Sequence, residues 1–308
     1  MLAFVTSLRH PDNARDYAQN ELLLQGTLHS IAQQTSDAYI VIVVSNVPLS
    51  FPLPDRVVSI TVNFPSPTPP GAHPSYADVV WDKGTKLGIG LIAARDYTPD
   101  YVMVVDADDF VHRDLVAFTV RHAGSSGWYI SKGWRYSGVR NVFRSLRAFH
   151  LQCGSAYIMP LEAYAIPPEA SIAIGQGEVL DVFGDRLATI LGSHMKVVPW
   201  GKKNGYPLMP LPFRGAVHHV DTGENHSGGT LSGVARGLSD EMRAIYGIPS
   251  STRPELSPTA KTKLRLMLST PNALIKGAYK YLDRTMYALT ADDTPRFDMY
   301  SYRDQLKR

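Results

Sequence analysis

Short runs of consecutive hydrophobic residues alternate with longer segments of helical spacing in the first third of the chain. The runs are rich in Val and Ile, and we expect them to form buried strands of a parallel sheet at 2–8, 39–44, 56–62 and 101–105. Residues 13–34 and 83–97 carry apolar side chains at every third or fourth position, which predicts helices. This alternation predicts an α/β fold with helices on both faces of the sheet.

The remainder of the chain has a less regular pattern. Helical spacing predicts helices at 113–122 and 178–191, and apolar runs predict strands at 128–132, 151–159, 195–200 and 216–220. A polar, glycine-containing loop at 221–233 precedes a helical tail, in which a linker is predicted at 249–258. Residues 1–110 are long enough to form the nucleotide-binding half of an α/β domain, and the segment with the less regular pattern follows them.

Composition narrows the class of protein. The chain has 308 residues, 44% of them hydrophobic and 19% charged, as in ordinary globular proteins. A net charge of +3 is too small to indicate a nucleic-acid partner. The single cysteine, Cys153, excludes an internal disulfide and two-cysteine zinc motifs, which fits a cytoplasmic protein. No apolar run reaches the roughly 20 residues that span a bilayer, and residues 1–5 are too short for a signal peptide.

The strand predicted at 101–105 ends in three carboxylates, Asp106, Asp108 and Asp109. Open α/β sheets bind ligands at the carboxyl ends of their strands. Paired carboxylates at Asp-x-Asp spacing suit a hard divalent cation, Mg²⁺ or Mn²⁺, which commonly bridges protein carboxylates to phosphates. The motif predicts a metal-dependent enzyme for a phosphorylated substrate; a solvated acidic turn is the alternative. Asp109 is also suited to cap the next helix.

Two lysines, Lys83 and Lys86, lie where the helix at 83–97 is predicted to begin. Helix N-termini favour anions, and Gly84 between the lysines would allow close approach of a phosphate to the backbone. We therefore expect a phosphate or base contact here; a solvated basic turn is the alternative interpretation.

The order of these motifs over residues 1–230 resembles the GT-A glycosyltransferases, particularly family 2. The matching motifs are Thr6-Ser7-Leu8-Arg9, a helix with Gln25, Ser30 and Gln33, Val44-Ser45-Asn46, Lys83-Gly84-Thr85-Lys86, Asp106-x-Asp108, Gly154-Ser155-Ala156, an acidic helix at 178–185 and a histidine cluster. The chain departs from the family at two places. Ser45-Asn46 stands where an Asp often reads the base, and Glu178 and Asp181 are not contiguous.

The resemblance implies a fold, a domain division and an activity. Residues 1–230 would form the GT-A catalytic domain, with a Rossmann-like nucleotide-sugar-binding sheet in 1–110, a mixed acceptor part in 111–230 and a helical extension in 231–308. The activity would be transfer of a sugar from a UDP, GDP or dTDP donor to a hydroxyl on a glycan, lipid-linked or small-molecule acceptor. Family 2 implies inversion, and a retaining outcome stays open.

The resemblance also assigns roles to residues. Asp106 would face the ribose or the metal, and Asp108 would bind the metal. The donor would contact Thr6, Arg9, Ser45, Asn46, Lys83, Lys86 and Asp106. One of His218 and His219 would complete the metal shell, because neighbouring side chains of a strand point to opposite faces; His226 is less favoured.

Inverting transfer needs a carboxylate that takes the proton of the acceptor hydroxyl. Glu178 and Asp181 share a helical face with Asp185, and Asp181 is the first choice for this base. The same face would also suit a solvated stripe. Residues 134–136, Trp-Arg-Tyr, would either stack on the acceptor sugar or pack a loop onto the core.

The tail at 261–289 is basic and has apolar residues at helical spacing. Between 251 and 290, seven Lys or Arg stand against two acidic residues. A basic amphipathic helix can lie on an anionic membrane, so peripheral membrane contact is one interpretation. Packing on the chain's own domain, or on a second subunit in a homodimer, is the other.

Two other classes of protein fit parts of the pattern. A nucleotidyltransferase would use a similar sheet, but such enzymes usually carry a glycine-rich loop after the first strand, and residues 6–13 contain no glycine. A non-catalytic carbohydrate-binding protein on the same fold is the second alternative.

Overall fold

A computed structural model describes residues 1–69, 72, 74–224, 229–231, 235–249 and 298–306. Within them the strands are β1 (Leu2–Ser7), β2 (Tyr39–Ser45), β3 (Val57–Thr61), β4 (Tyr101–Val104), β5 (Phe110–Val111), β6 (Trp128–Tyr129), β7 (Lys132–Ser137), β8 (Val142–Arg147), β9 (Tyr157–Pro160), β10 (Met209–Pro210), β11 (Ala216–Val220) and β12 (Arg236–Gly237). The α-helices are α1 (Tyr17–Ala32), α2 (Tyr76–Arg95), α3 (Leu115–Arg121), α4 (Gln176–Phe183), α5 (Val197–Lys203), α6 (Asp240–Tyr246) and α7 (Met299–Leu306), and a π-helix covers Leu187–Leu191. Short 3-10 helices lie at Pro11–Asn13, Phe149–Leu151 and Leu161–Tyr164.

The larger sheet has seven strands in the order β10-β6-β9-β4-β1-β2-β3. Its β4-β1-β2-β3 part is parallel, and β9 joins β4 in the antiparallel sense. The strands β1 and β2 are buried along almost their whole length, as expected for Val- and Ile-rich strands covered on both faces. The prediction of an α/β fold with a parallel sheet is confirmed.

A second sheet has the order β12-β8-β7-β11-β5. Its β7 and β8 form an antiparallel hairpin, and β11 runs parallel to β7 and antiparallel to β5. The hairpin at 132–147 is missing from the sequence-based assignment, because its residues are polar at many positions. The sheet places β11 beside the loop that follows β4.

Helix α2 begins at Tyr76, seven residues before the predicted start. Ser75 caps it: the Ser75 hydroxyl accepts from the Asp78 N–H at 3.2 Å, and the Asp78 carboxylate accepts from the Ser75 N–H at 2.5 Å. The helix lies between the sheet and α4. A Cβ on Gly90 would be 2.5 Å from Val5, and one on Gly88 would be 2.5 Å from Val179, so both glycines permit this close packing.

Three predicted elements differ from the structure. The strand predicted at 151–159 exists only as β9, which begins at Tyr157, and a 3-10 helix covers Phe149–Leu151. The strand at 195–200 is instead part of helix α5, whose buried residues Val197, Trp200 and Gly201 follow helical spacing. The helix at 178–191 is interrupted: α4 ends at Gly184, which has a φ of 54°, and a π-helix follows. Glycine is the residue that adopts this left-handed conformation without a steric penalty.

The parts of the C-terminal extension that the structure describes pack on the rest of the chain. Strand β12 pairs with β8, and α7 contacts α4. The predicted linker at 249–258 (apart from Pro249), the basic segment at 261–289 and His226 lie outside the described residues. Among the helices that are described, none has the length and apolar character needed to cross a membrane.

Candidate functional site

A cavity of about 270 Å³ opens at the carboxyl ends of β1 and β4. We call it the acidic cleft. Its walls come from the β1–α1 loop, the first turns of α2, the residues after β4, two loops and strand β11. Residues that line it include Arg9, Asn13, Asn20, Tyr76, Asp78, Asp82, Lys83, Asp106, Asp108, Gln152, Gly154, Ser193, His194, His218 and Glu224. This is the edge of an α/β sheet at which ligands bind.

Asp106 and Lys83 form an ion pair inside the cleft. Strand β4 delivers Asp106, and the second turn of α2 delivers Lys83, whose ammonium donates to the Asp106 carboxylate. Burial acts to raise the pKa of Asp106, but the charge and hydrogen bond of Lys83 hold that pKa below its usual value. A Cβ on Gly154 would lie 2.7 Å from Asp106 Oδ2 and 3.0 Å from Lys83 Nζ, so the pair needs a glycine beside it.

Asp108 also lines the cleft, and it concentrates negative charge there. Its pKa is raised well above the usual value by burial and by the neighbouring carboxylates Asp109 and Asp106. Two carboxyl groups at close range cannot both ionise without a large cost in free energy unless a cation lies between them. Asp106 and Asp108 therefore offer oxygen ligands at a place that favours positive charge.

Asp109 lies beneath the cleft and is fully buried. Its carboxylate accepts hydrogen bonds from the Cys153 thiol at 2.9 Å, the Ser155 hydroxyl at 2.6 Å and the His219 N–H at 3.0 Å. Burial and the charge of Asp106 raise the pKa of Asp109 to about 7. The prediction that Asp109 caps the next helix was wrong, because α3 begins after Asp114.

The two neighbouring histidines of β11 point in opposite directions. His218 lines the acidic cleft, and its positive charge would lower the pKa of Asp106. The ring of His219 packs against Phe110 and Tyr136, with centroid distances of 5.4 and 5.1 Å, and burial lowers its pKa to about 4. The structure therefore brings only the first of this pair into the cleft.

His194 is a cleft residue that the sequence reasoning missed. It follows the π-helix and Gly192, whose Cβ would lie 2.4 Å from the Val80 carbonyl oxygen. The carbonyl of His194 accepts from the Tyr157 hydroxyl at 2.7 Å, and the histidine's charge would also lower the pKa of Asp106. π-helical turns often occur at functional sites, but the helical spacing of 178–191 gave no sign of this one.

The other predicted donor contacts lie beside or beneath the cleft. Lys86 is fully buried and donates to the Leu8 carbonyl and to Asp82, both at 2.8 Å, and burial lowers its pKa. Thr6 and Ser45 are fully buried. Asn46 donates from its amide to the Phe64 carbonyl at 2.9 Å. Because α2 starts at Tyr76, Lys83 and Lys86 lie within the helix. The prediction that they lie at its start was wrong.

Glu178 and Asp181 are both exposed and do not line the acidic cleft. The Glu178 carboxylate accepts from the Gly175 N–H at 2.6 Å and so caps the start of α4. The Asp181 carboxylate pairs with Arg303 of α7 at 2.6 Å. The structure thus does not bring the predicted base residues together with the metal-binding candidates.

The aromatic segment at 134–136 packs within the second sheet. The Trp134 indole donates to the Tyr246 hydroxyl at 3.1 Å, and the Arg214 guanidinium lies 4.2 Å from the Trp134 ring centroid. The Arg135 guanidinium donates to Gln152 at 3.0 Å, and Gln152 itself lines the cleft. Of the three residues, Arg135 is the one that connects to the cleft.

Asp106, Asp109 and Cys153 have potential metal-ligand atoms within 4.8 Å of one another. The chemistry of Asp109 and Cys153 does not fit a hard cation. Three donors already engage both oxygens of the Asp109 carboxylate, and burial with nearby carboxylates raises the pKa of the Cys153 thiol well above its usual range, which keeps it protonated. Asp106 and Asp108, which face the cleft, fit a divalent cation better.

No family model and no curated protein matches the chain. Among solved structures it is similar to S. aureus TarS in complex with UDP-GlcNAc, with a TM-score of 0.41, 13% identity, and coverage of 75% of this chain and 62% of that one. TarS in complex with UDP gives a TM-score of 0.43, 11% identity, and coverage of 71% and 60%. The chain thus spans about three fifths of those structures.

Proposed function

We propose that this chain is a metal-dependent glycosyltransferase that moves a sugar from a nucleoside diphosphate donor to a hydroxyl acceptor. The observation that carries the proposal is the acidic cleft, where Asp106, Asp108 and Lys83 converge at the carboxyl edge of a parallel sheet. Clefts at this edge bind nucleotides in α/β proteins. The resemblance of the motif order to GT-A glycosyltransferases gives the reaction class.

The residues that would hold the cation are Asp106 and Asp108, with His218 as a third ligand. All three line the acidic cleft, and the two carboxylates supply the oxygen ligands that suit Mg²⁺ or Mn²⁺. A cation bound there would neutralise charge on the leaving diphosphate as a Lewis acid. His219 is not part of this proposal, because its ring packs between Phe110 and Tyr136.

The remaining cleft residues would bind and orient the donor. Lys83 holds Asp106 in its ionised form and places a positive charge where phosphates would lie. Arg9, Asn13 and Asn20 also line the cleft, and they follow the carboxyl end of β1, the kind of strand end at which nucleotides bind in such folds. Thr6, Ser45 and Lys86 would support these walls from beneath, since all three are buried.

Family 2 resemblance favours inversion as the stereochemical outcome. The proposal does not include a base, because Glu178 and Asp181 have their carboxylates engaged outside the cleft. The acceptor class likewise follows only from the resemblance. A cytoplasmic location is part of the proposal, and a single buried cysteine is consistent with it.

Thermal melting with UDP, GDP and dTDP tests this function. We expect one of these nucleotides to raise the melting temperature only when Mn²⁺ or Mg²⁺ is present. A ligand at 100 times its dissociation constant stabilises by about 2.7 kcal/mol, which gives an easily measured shift. The absence of a metal-dependent shift with every nucleotide would contradict the proposal.

The variant Asp108→Asn should abolish that shift and leave the melting temperature without ligand almost unchanged. Asp55→Asn is the matched control, because Asp55 is exposed and lies outside the cleft lining. A collapse of the ligand-free Asp108→Asn protein would instead indicate a structural role. Release of nucleoside diphosphate from a panel of donors would then identify the sugar nucleotide.

A further inference from the structure

Glu224 lies at the boundary between the C-terminal part of the chain and the N-terminal wall of the acidic cleft. It comes six residues after His218, and the chain between them reverses direction at Asp221 and Gly223, which have φ values of 61° and 83°. This turn returns the chain to the loop between β1 and α1, 215 residues away in sequence.

The hydrogen bonds of the Glu224 carboxylate all go to that loop and to the first turn of α1. Its carboxylate accepts from Arg9 Nη1 at 3.2 Å, from the Asp16 N–H at 3.1 Å, from the Arg15 N–H at 3.4 Å and from the Asn20 amide at 3.3 Å. Its own backbone carbonyl accepts from Arg9 Nη2 at 2.7 Å. Arg9 is therefore held by two separate oxygens of one residue.

The burial of this pair is uneven. The side chain of Glu224 is 5% exposed and that of Arg9 is 26% exposed, so the carboxylate is enclosed while the guanidinium reaches the cleft. A buried carboxylate is stable only when donors saturate it. The loop at 9–20 supplies those donors, so its conformation depends on Glu224.

We propose that Glu224 is a positioning residue for donor binding: it holds Arg9 and Asn20 where they form the nucleoside side of the acidic cleft. This inference rests on the proposed function. Both Arg9 and Asn20 line the same cleft as Asp106, and both donate to Glu224. No other acidic residue among those described accepts hydrogen bonds from Arg9.

Isothermal titration calorimetry, in which UDP is added to the protein in the presence of Mn²⁺, tests the inference. Glu224→Gln keeps the shape and removes the charge, so one amide N–H would face the backbone donors of the loop. We expect the Kd for UDP to rise about tenfold or more, because charge-assisted hydrogen bonds that hold Arg9 are lost. Glu224→Asp keeps the charge and should give an intermediate Kd. Glu169→Gln, at an exposed site, is the matched control and should bind as the wild type does.

A double-mutant cycle separates positioning from general weakening. Arg9→Lys keeps the positive charge but loses the contact with two oxygens of Glu224. Glu224→Gln should therefore raise the Kd for UDP by a smaller factor in the Arg9→Lys background than in the wild type. Full additivity would overturn the inference. If Glu224→Gln fails to fold, the Kd values of Arg9→Lys and Glu224→Asp still test the inference. An unchanged Kd for UDP in both variants would overturn the inference as well.

The outcomes distinguish this inference from the proposed function. A wild-type protein that binds none of UDP, GDP and dTDP with Mn²⁺ contradicts both. If the wild type binds UDP and Glu224→Gln binds it equally well, only the inference fails. Tighter binding by Glu224→Gln would mean that the Glu224 carboxylate competes with a donor phosphate for Arg9, which also overturns it.

Discussion

At the scale of single residues, Asp109 shows how one of three neighbouring carboxylates becomes structural. It receives three hydrogen bonds from Cys153, Ser155 and His219, and it joins the loop after β4 to strand β11. Sequence reasoning separated it from Asp106 and Asp108 but assigned it to the wrong element. The partners that decide its role are 44, 46 and 110 residues away, so no local pattern reveals them.

The raised pKa of Asp109 predicts a pH-dependent stability. Its pKa moves from 3.8 to about 7 on folding, so the folded state keeps a proton that the unfolded state releases. The contribution of Asp109 is therefore full below about pH 4 and is lost as the pH rises to about 7. We expect the free energy of unfolding, measured with urea in the presence of a metal chelator, to decline over this pH range for the wild type. The same measurement on Asp109→Asn should give a flatter pH profile. Identical slopes would contradict the assignment.

Gly154 predicts a second residue-scale effect. A Cβ there would lie 2.7 Å from Asp106 Oδ2 and 3.0 Å from Lys83 Nζ, so Gly154→Ala must displace this ion pair. We expect metal-dependent nucleotide binding to weaken at least tenfold while the ligand-free protein keeps its fold. Gly237→Ala is the control, because nothing lies within 4 Å of a Cβ at Gly237. Equal binding by both variants would remove Gly154 from the site.

At the scale of elements, the hydrophobic runs were sufficient to locate the parallel strands: β1, β2 and β4 are buried almost throughout, and β3 at the edge of the sheet is partly buried. The segment after Gly184 could not be assigned in the same way. Its π-helix at Leu187–Leu191 changes the spacing of buried residues, so a continuous helix and a following strand were wrong. The consequence for the site is that His194 enters the cleft at a position that no motif marks.

A substitution at Asp181 tests whether this residue holds α7 on α4 or acts as the general base. Its exposed carboxylate pairs with Arg303 and so helps α7 to dock on α4. We expect Asp181→Asn to lower the free energy of unfolding by less than about 1 kcal/mol, as exposed ion pairs do. Release of nucleoside diphosphate from the donor should change by only a few fold. A fall of roughly 10²–10⁴ in that rate would instead restore Asp181 as the general base.

At the scale of the whole molecule, the sequence predicts the parallel part of the first sheet well and the cleft only in part. Arg9, Lys83, Asp106, Asp108 and His218 follow from strand ends and motif order, and the structure brings all five to the cleft. Tyr76, Asp82, His194 and Glu224 do not, because they reach the cleft through contacts between distant segments. Local patterns fix which segments form strands, whereas the second sheet and the return of the chain at Asp221 decide what faces the cleft.

The bond between Arg9 and Glu224 also bears on when the protein can act during its synthesis. The two residues are 215 positions apart, and contacts of such long range form late because the intervening loop must close first. A nascent chain that has emerged only as far as Asp109 contains Lys83, Asp106 and Asp108 but lacks both β11 and the turn that follows it. All residues up to Glu224 must therefore have left the ribosome before this wall of the acidic cleft can form, so the cleft is completed only after most of the two sheets has been synthesised.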